Sequence, residues 1–122
     1  MNGDSYLLDT NVVIVALNQR LVLPDANYYV SVITEIELLS FPAISAKDEY
    51  QIKRFLSDID VVELTPNIKE ETIILRRQKI LKLPDAIICA TAINTQAILV
   101  TADMQLHSVN QCKTIKLPEL LT

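Results

Sequence analysis

Four acidic residues stand where they could do chemistry together. They are Asp9 in Leu7-Leu8-Asp9-Thr10-Asn11, Glu37 in Thr34-Glu35-Ile36-Glu37-Leu38, Asp85 in Leu83-Pro84-Asp85-Ala86, and Asp103 in Val100-Thr101-Ala102-Asp103. Carboxylates that converge with few competing His or Cys side chains suit hard divalent cations such as Mg²⁺ or Mn²⁺. This chain has one His and two Cys. Such cations support phosphodiester chemistry. Thr10, Asn11 and Thr101 adjoin the acids and are suited to orienting a carboxylate or a phosphate oxygen. Each of these residues also has a plainer reading. Asp9 and Asp85 could cap helices, Asp103 could shape a turn, and Glu37 could be a surface acid.

The elements that must position these groups read as alternating strands and helices. Residues 5–8 form a short apolar strand, followed by a helix over 10–19. Residues 28–32 are β-branched and aromatic, hence strand, and 34–41 read as a helix stopped by Pro42. Helical spacing of Ile52, Phe55, Leu56 and Ile59 marks 45–59, with Ser45 as N-cap and Asp48 in the capping-box position. A strand over 61–64 precedes a helix over 66–81, which opens on Pro66 with Glu70 and Glu71 close behind. The helix over 84–95 is apolar almost all round and must be buried. Residues 97–101 are a continuous apolar strand of the kind found inside parallel sheets. A short turn after Asp103 leads to a last strand over 114–117. This order predicts an α/β fold, a three-layer α/β/α sandwich on a mainly parallel sheet, with residues 1–122 as one domain.

In open parallel sheets, sites form beyond the carboxyl ends of the strands. Asp9 follows the first strand, and Asp103 comes two residues after the strand that ends at Thr101. If those strands are neighbours, both carboxylates lie on one edge. Asp85 sits in the first turn of the buried helix. Glu37 falls mid-helix in an apolar setting, where an acid needs a partner. Glu35 and Glu37 lie about 200° apart on a helix, so one of them faces the cleft, and Glu37 is the better choice.

Bulk properties narrow the function classes. A net charge of −4 argues against a general nucleic-acid binder, whose affinity comes from neutralising many phosphates. It leaves room for a metal-dependent nuclease, with Lys53, Arg54, Arg76, Arg77, Lys79 and Lys82 as local groups that could hold a substrate or simply be solvated. The single Gly is at position 3, so glycine-rich phosphate loops are absent. No apolar run approaches a membrane span. The opening residues lack a basic n-region, so no signal peptide is expected. Cys89 and Cys112 form no metal-ligand spacing, and a reduced, cytoplasmic compartment is expected. Cys89 reads as core. His107, lacking a partner, reads as a surface or packing residue rather than a general base.

At the four acids the chain resembles a PIN-domain ribonuclease, specifically the VapC-type toxin of bacterial toxin–antitoxin pairs. Leu7-Leu8-Asp9-Thr10-Asn11 is similar to the family's opening strand with its first acid. Ser31-x-x-Thr34-x-x-Glu37-Leu38-Leu39 is similar to the second motif. Pro84-Asp85-Ala86-Ile87-Ile88-Cys89-Ala90-Thr91-Ala92 is similar to the third, and Leu99-Val100-Thr101-Ala102-Asp103 to the fourth. The segment Met104-Gln105-Leu106 lacks the extra acid or aromatic that many relatives carry there. The resemblance implies Mg²⁺- or Mn²⁺-dependent cleavage of RNA, restrained by a small antitoxin that occludes the site. It also implies that Asp9 and Asp85 are direct metal ligands, that Glu37 and Asp103 are direct or water-mediated ones, and that the chain forms a homodimer.

Two other readings compete. A PIN-like interaction module without activity would keep the fold and lose metal binding. A phosphoaspartate enzyme or receiver domain would also place Asp9 after the first strand. Phosphatases of that type want a second Asp two residues later, where this chain has Asn11. Receivers want an acid beside Asp9 and a Lys after a late strand, for which Lys113 and Lys116 are poor substitutes.

Overall fold

The computed structural model describes residues 4–78 and 81–122. Elements follow in the order β1 (Ser5–Leu8), α1 (Thr10–Asn18), β2 (Asn27–Ser31), α2 (Val32–Leu39), α3 (Ala46–Ser57) and β3 (Asp60–Val62). After them come α4 (Pro66–Gln78), α5 (Leu83–Thr95), β4 (Ile98–Val100), α6 (Met104–His107), β5 (Thr114–Ile115) and α7 (Leu117–Leu121). The strands form one five-stranded sheet in the order β3-β2-β1-β4-β5. Every pairing in it is parallel.

Strand side chains alternate between faces, and the two faces build two separate cores. Leu7 and Leu99 point to one face and pack with Ile68 and Leu75 of α4, with Ala86, Ile88 and Cys89 of α5, and with Leu106 of α6. Leu8, Val30 and Val100 point to the other, where Val12 and Val13 of α1, Leu38 of α2, Ile52 and Leu56 of α3, and Leu120 of α7 cover them. Helices therefore lie on both faces of the parallel sheet, which is the expected three-layer sandwich. Helix α5 is buried at every residue from Ala86 to Ala92, as its all-round apolarity requires, and it lies against β1, β2 and β4.

Local chemistry explains where the boundaries differ from the sequence reading. Strand β2 ends at Ser31 because the Ser31 hydroxyl accepts from the Ile33 N–H at 3.0 Å, which starts α2 earlier than position 34. Ser45 caps α3 as expected, accepting from the Asp48 N–H at 3.0 Å. Helix α4 opens at Pro66, with the Thr65 hydroxyl accepting from the Ile68 N–H at 3.2 Å. It was expected to run to 81; positions 79–80 lie outside the described residues, and Leu81 is not helical. Two short helices were not anticipated. Asp103 caps α6 through the Gln105 N–H at 2.9 Å. In α7, Glu119 accepts from the Lys116 N–H at 3.0 Å, so the last strand stops at Ile115 and Leu120 turns into the core.

With its one Gly at position 3, the chain makes left-handed turns with other residues. Arg20, Ala43 and Gln96 have φ of 52°, 60° and 58°. Gln96 ends α5, its N–H donating to the carbonyls of Ala92 and Ile93. A side chain there costs about 1–2 kcal/mol, against which a Gly loses about 0.4–1 kcal/mol through the unfolded chain. Gln96→Gly is therefore expected to stabilise the fold by about 0.5–1 kcal/mol, read as a higher urea midpoint; a lower midpoint would mean that the Gln96 side chain contributes contacts outweighing the strain.

Candidate active site

Strand order reverses between β1 and β4, which are neighbours with Leu8 opposite Val100. This is the switch point at which open α/β sheets leave a crevice. Asp9 follows β1 directly, and its N–H still donates to the Val100 carbonyl at 3.0 Å. Asp103 follows β4 by three residues and caps α6. Asp85 occupies the first turn of α5. Glu37 comes from the side, on α2. All four line one cleft of about 250 Å³, with Thr10, Asn11, Ile14 and Phe41 completing its walls. Among the described residues, no Lys or Arg lines it.

The polar residues next to the acids hold them in place. Asp9 is 8% exposed. One of its oxygens accepts from the Thr10 N–H at 2.8 Å and the other from the Thr101 hydroxyl at 2.7 Å. Thr101 is fully buried, and its hydroxyl oxygen also accepts from the Asp103 N–H at 3.0 Å. One hydroxyl thus ties the strand-β1 acid to the strand-β4 acid. The Thr10 hydroxyl donates to Glu37 Oε1 at 2.6 Å and shares a 3.0 Å hydrogen bond with the buried Thr34 hydroxyl. Glu37 is therefore exposed and hydrogen-bonded, a correction to the apolar setting that its neighbours Ile36 and Leu38 suggest. Asn11 reaches the cleft wall, exposed to solvent.

The plain and the chemical readings of the acids are thus compatible. Asp9 and Asp103 do cap helices, and both still line the cleft.

Electrostatics record the crowding. Burial is the main reason that Asp9 sits above the usual carboxylate range; the hydrogen bonds from Thr101 and Thr10 oppose it, and the charges of Asp103 and Glu37 add to it. Asp85 is raised for the same first reason, then by Asp103, Asp9 and Glu37, with Lys82 opposing. Four carboxylates without a basic neighbour in the cleft form a hard-oxygen donor set that a divalent cation fits chemically. The side chains as placed are not a ready cage. Among the described residues, no group of three or more His, Cys, Asp or Glu side chains is set to hold a metal ion. The oxygens of Asp9, Glu37 and Asp103 accept hydrogen bonds from Thr101, Thr10 and backbone N–H groups, and each carboxylate keeps lone pairs that an ion could use.

The remaining candidates fall outside the cleft. Lys53 pairs with Glu49 at 2.9 Å on the exposed face of α3. Arg76 donates to the Leu81 carbonyl at 2.9 Å, Arg54 and Arg77 are exposed, and Lys79 lies outside the described residues. Lys82, at the start of α5, is the one whose charge reaches Asp85. Cys89 and Cys112 are both buried. The hydrogen bond that Cys89 makes to Cys112, then burial, pushes the Cys89 thiol up, which suits core packing and not a nucleophile. Sequence reasoning missed Ile14 and Phe41 in the cleft wall. It also missed the partners of His107, which hydrogen-bonds Thr101 and Thr114.

The raised carboxyls set a sign for stability. A native state that holds protons more tightly than the unfolded chain is favoured below the ordinary Asp value of about 4. That contribution is lost as pH rises through the raised values. Asp85→Asn removes one such group. The metal-free variant is expected to be at least as stable as wild type at pH 7, with a flatter decline of Tm from pH 4 to 7 in calorimetry. A fall in Tm of more than about 4 °C, roughly 1 kcal/mol at this chain length, would mark Asp85 as a structural cap.

A family model for the PIN domain matches residues 6–111. Among solved structures, a VapBC complex from Rickettsia felis bound to a fragment of its promoter DNA has a chain 20% identical, with a TM-score of 0.78 over 92% of this chain and 98% of that one. A toxin–antitoxin complex from Klebsiella pneumoniae has a chain 26% identical, with a TM-score of 0.70 over 91% and 96%. A VapBC complex from nontypeable Haemophilus influenzae gives a TM-score of 0.76 at 19% identity over 92% and 97%. No curated protein matches in sequence. The strand order, the acid-lined crevice and the family match agree, and the chain belongs to the PIN domain family.

Proposed function

We propose that this chain is a Mg²⁺- or Mn²⁺-dependent endoribonuclease, acting in the cytoplasm as the toxin of a toxin–antitoxin pair. The observation that carries the reading is the cleft at the β1/β4 switch point, lined by Asp9, Glu37, Asp85 and Asp103 and by no basic residue among those described. Asp9 and Asp85 are the direct ligands in this reading, with Glu37 and Asp103 binding directly or through water. A cation held there would supply two things: a lowered pKa for a water and compensation of charge developing on the phosphate.

The chain's own groups do the rest. Thr101 and the Thr10 N–H fix the Asp9 carboxylate, the Thr10 hydroxyl steadies Glu37, and Asn11 offers an amide at the mouth for a phosphate oxygen. With a net charge of −4, the protein has little general attraction for RNA, so recognition rests on local groups at the cleft.

Similar folds occur in toxin–antitoxin complexes, which supports a small antitoxin as partner. The half-exposed Ile73 and Ile74 of α4 support a homodimer contact. No helix among the described residues is long and apolar enough to cross a membrane.

The test is cleavage of a mixed RNA pool with Mg²⁺ or Mn²⁺ and with chelator. Wild type is expected to cut in the presence of the metal alone. Asp9→Asn and Asp85→Asn are each expected to lose at least about 100-fold, the scale of removing one group that stabilises developing charge. Cleavage that survives chelation, or variants as active as wild type, would refute the reading. Wild type that folds and cuts nothing would instead be an inert interaction module.

A further inference from the structure

Thr101 is the residue through which the rest of the fold reaches the acids, and its main chain is held from two directions. Its N–H donates to the Ile115 carbonyl at 3.0 Å, the last rung between β4 and β5. In a parallel ladder the next donor to the Thr101 carbonyl would come two residues beyond Ile115. That residue is Leu117, where α7 begins. His107 takes the vacant role: its Nε2 lies 2.8 Å from the Thr101 carbonyl. Its other ring nitrogen, Nδ1, lies 2.6 Å from the Thr114 hydroxyl.

The protons on this ring follow from its partners. A carbonyl can only accept, so Nε2 carries the hydrogen, and a neutral ring then accepts at Nδ1 from the Thr114 hydroxyl. His107 is thus a rigid spacer between β5 and the end of β4. Thr101 passes that constraint on, since its hydroxyl donates to Asp9 at 2.7 Å and accepts from the Asp103 N–H at 3.0 Å.

We infer that His107 is a positioning residue for the acidic cleft, setting the Thr101 hydroxyl that orients Asp9 and Asp103 toward a cation. The inference rests on the metal-nuclease reading and adds a residue to it. His107 reaches the acids through Thr101, so its loss changes how well the cleft holds a cation and not how it meets RNA. Groups that orient metal ligands from behind are each worth about 10–100-fold in affinity or activity.

The experiment compares wild type with His107→Phe, His107→Gln and Thr114→Val. His107→Phe keeps a ring without a donor, and His107→Gln keeps an amide N–H within reach of the Thr101 carbonyl. Thr114→Val frees Nδ1 while leaving the ring. Three quantities are read: the Mn²⁺ dissociation constant, kcat and KM for RNA, and the ring ¹⁵N shifts of the metal-free protein. The last assignment is unambiguous because the chain has one His.

The ring is expected to be the Nε2-protonated tautomer. His107→Phe is expected to weaken Mn²⁺ binding and lower kcat by about 10–100-fold with KM unchanged. His107→Gln should recover most of both, and Thr114→Val should shift them in the same direction by less. Should His107→Phe fail to fold, the Gln and Val variants and the tautomer decide.

An Nδ1-protonated ring, or unchanged Mn²⁺ affinity in His107→Phe or Thr114→Val, would overturn the inference. So would losses in all variants that merely track their metal-free Tm. Wild type that neither binds Mn²⁺ nor cuts RNA would remove the nuclease reading and this inference with it. Wild type that does both while the variants match it would remove the inference alone.

Discussion

Everything at the cleft depends on the parallel pairing of β1 with β4. The two strands are far apart in the chain, and their contact sets Leu8 opposite Val100. It carries the pairing one step further through the Asp9 N–H and the Val100 carbonyl. The chain leaves β1 toward β2 and β3 on one side, and leaves β4 toward β5 on the other. The connections after β1 and β4 thus lead to opposite sides, the arrangement that leaves a crevice at the carboxyl ends. Helix α5, packed beneath β1 and β4, delivers Asp85 to it, and α2 delivers Glu37. A slip of one residue in the β1/β4 register would turn either Leu8 or Val100 to the wrong face and separate Asp9 from Thr101. Core packing and site geometry are therefore fixed by one contact.

The site carries an electrostatic cost that the fold does not cancel by itself. Burying Asp9 raises its pKa, and two hydrogen bonds only partly oppose that. Asp85 gains some relief from Lys82, against three neighbouring acids. A protein selected for stability alone would place an Arg here or replace an acid by an amide. Retaining four carboxylates beside a small set of hydroxyls makes physical sense where a cation is to be held. The same pattern explains why the bulk charge misleads. A chain of net charge −4 looks unsuited to RNA until part of that charge is assigned to one cleft.

Much of this was legible in the chain. Apolar runs ended by Asp9 and Asp103 pointed to one sheet edge, the all-round apolar helix after Pro84 pointed to a buried α5, and two-residue spacing separated Glu37 from Glu35. The limits were equally physical. An Asp at a helix start reads as a cap or as a ligand, and Asp9 caps α1 while lining the cleft. Ile36 and Leu38 gave Glu37 an apolar setting in the sequence, yet Leu38 takes the core side and Glu37 is exposed. The last strand was expected to run on to 117, but Leu117 opens α7, with Pro118 in its first turn, where Pro is welcome. His107 had no visible partner because its contacts depend on where β5 stops and on the carbonyl that this leaves open. The basic residues could be located in the chain but not aimed; none of those described lines the cleft, and Lys82 is the one whose charge reaches Asp85.

The most direct test of the account is paramagnetic broadening of backbone amide signals by trace Mn²⁺, which locates a bound cation without needing a substrate. Amides of Thr10, Asn11, Asp85, Ala86, Ala102 and Asp103 should broaden first and together, and Asp9→Asn with Asp85→Asn should abolish the effect. Broadening spread over the exposed acids of α3 and α4, or equal in wild type and the double variant, would contradict a cation site at the β1/β4 switch point.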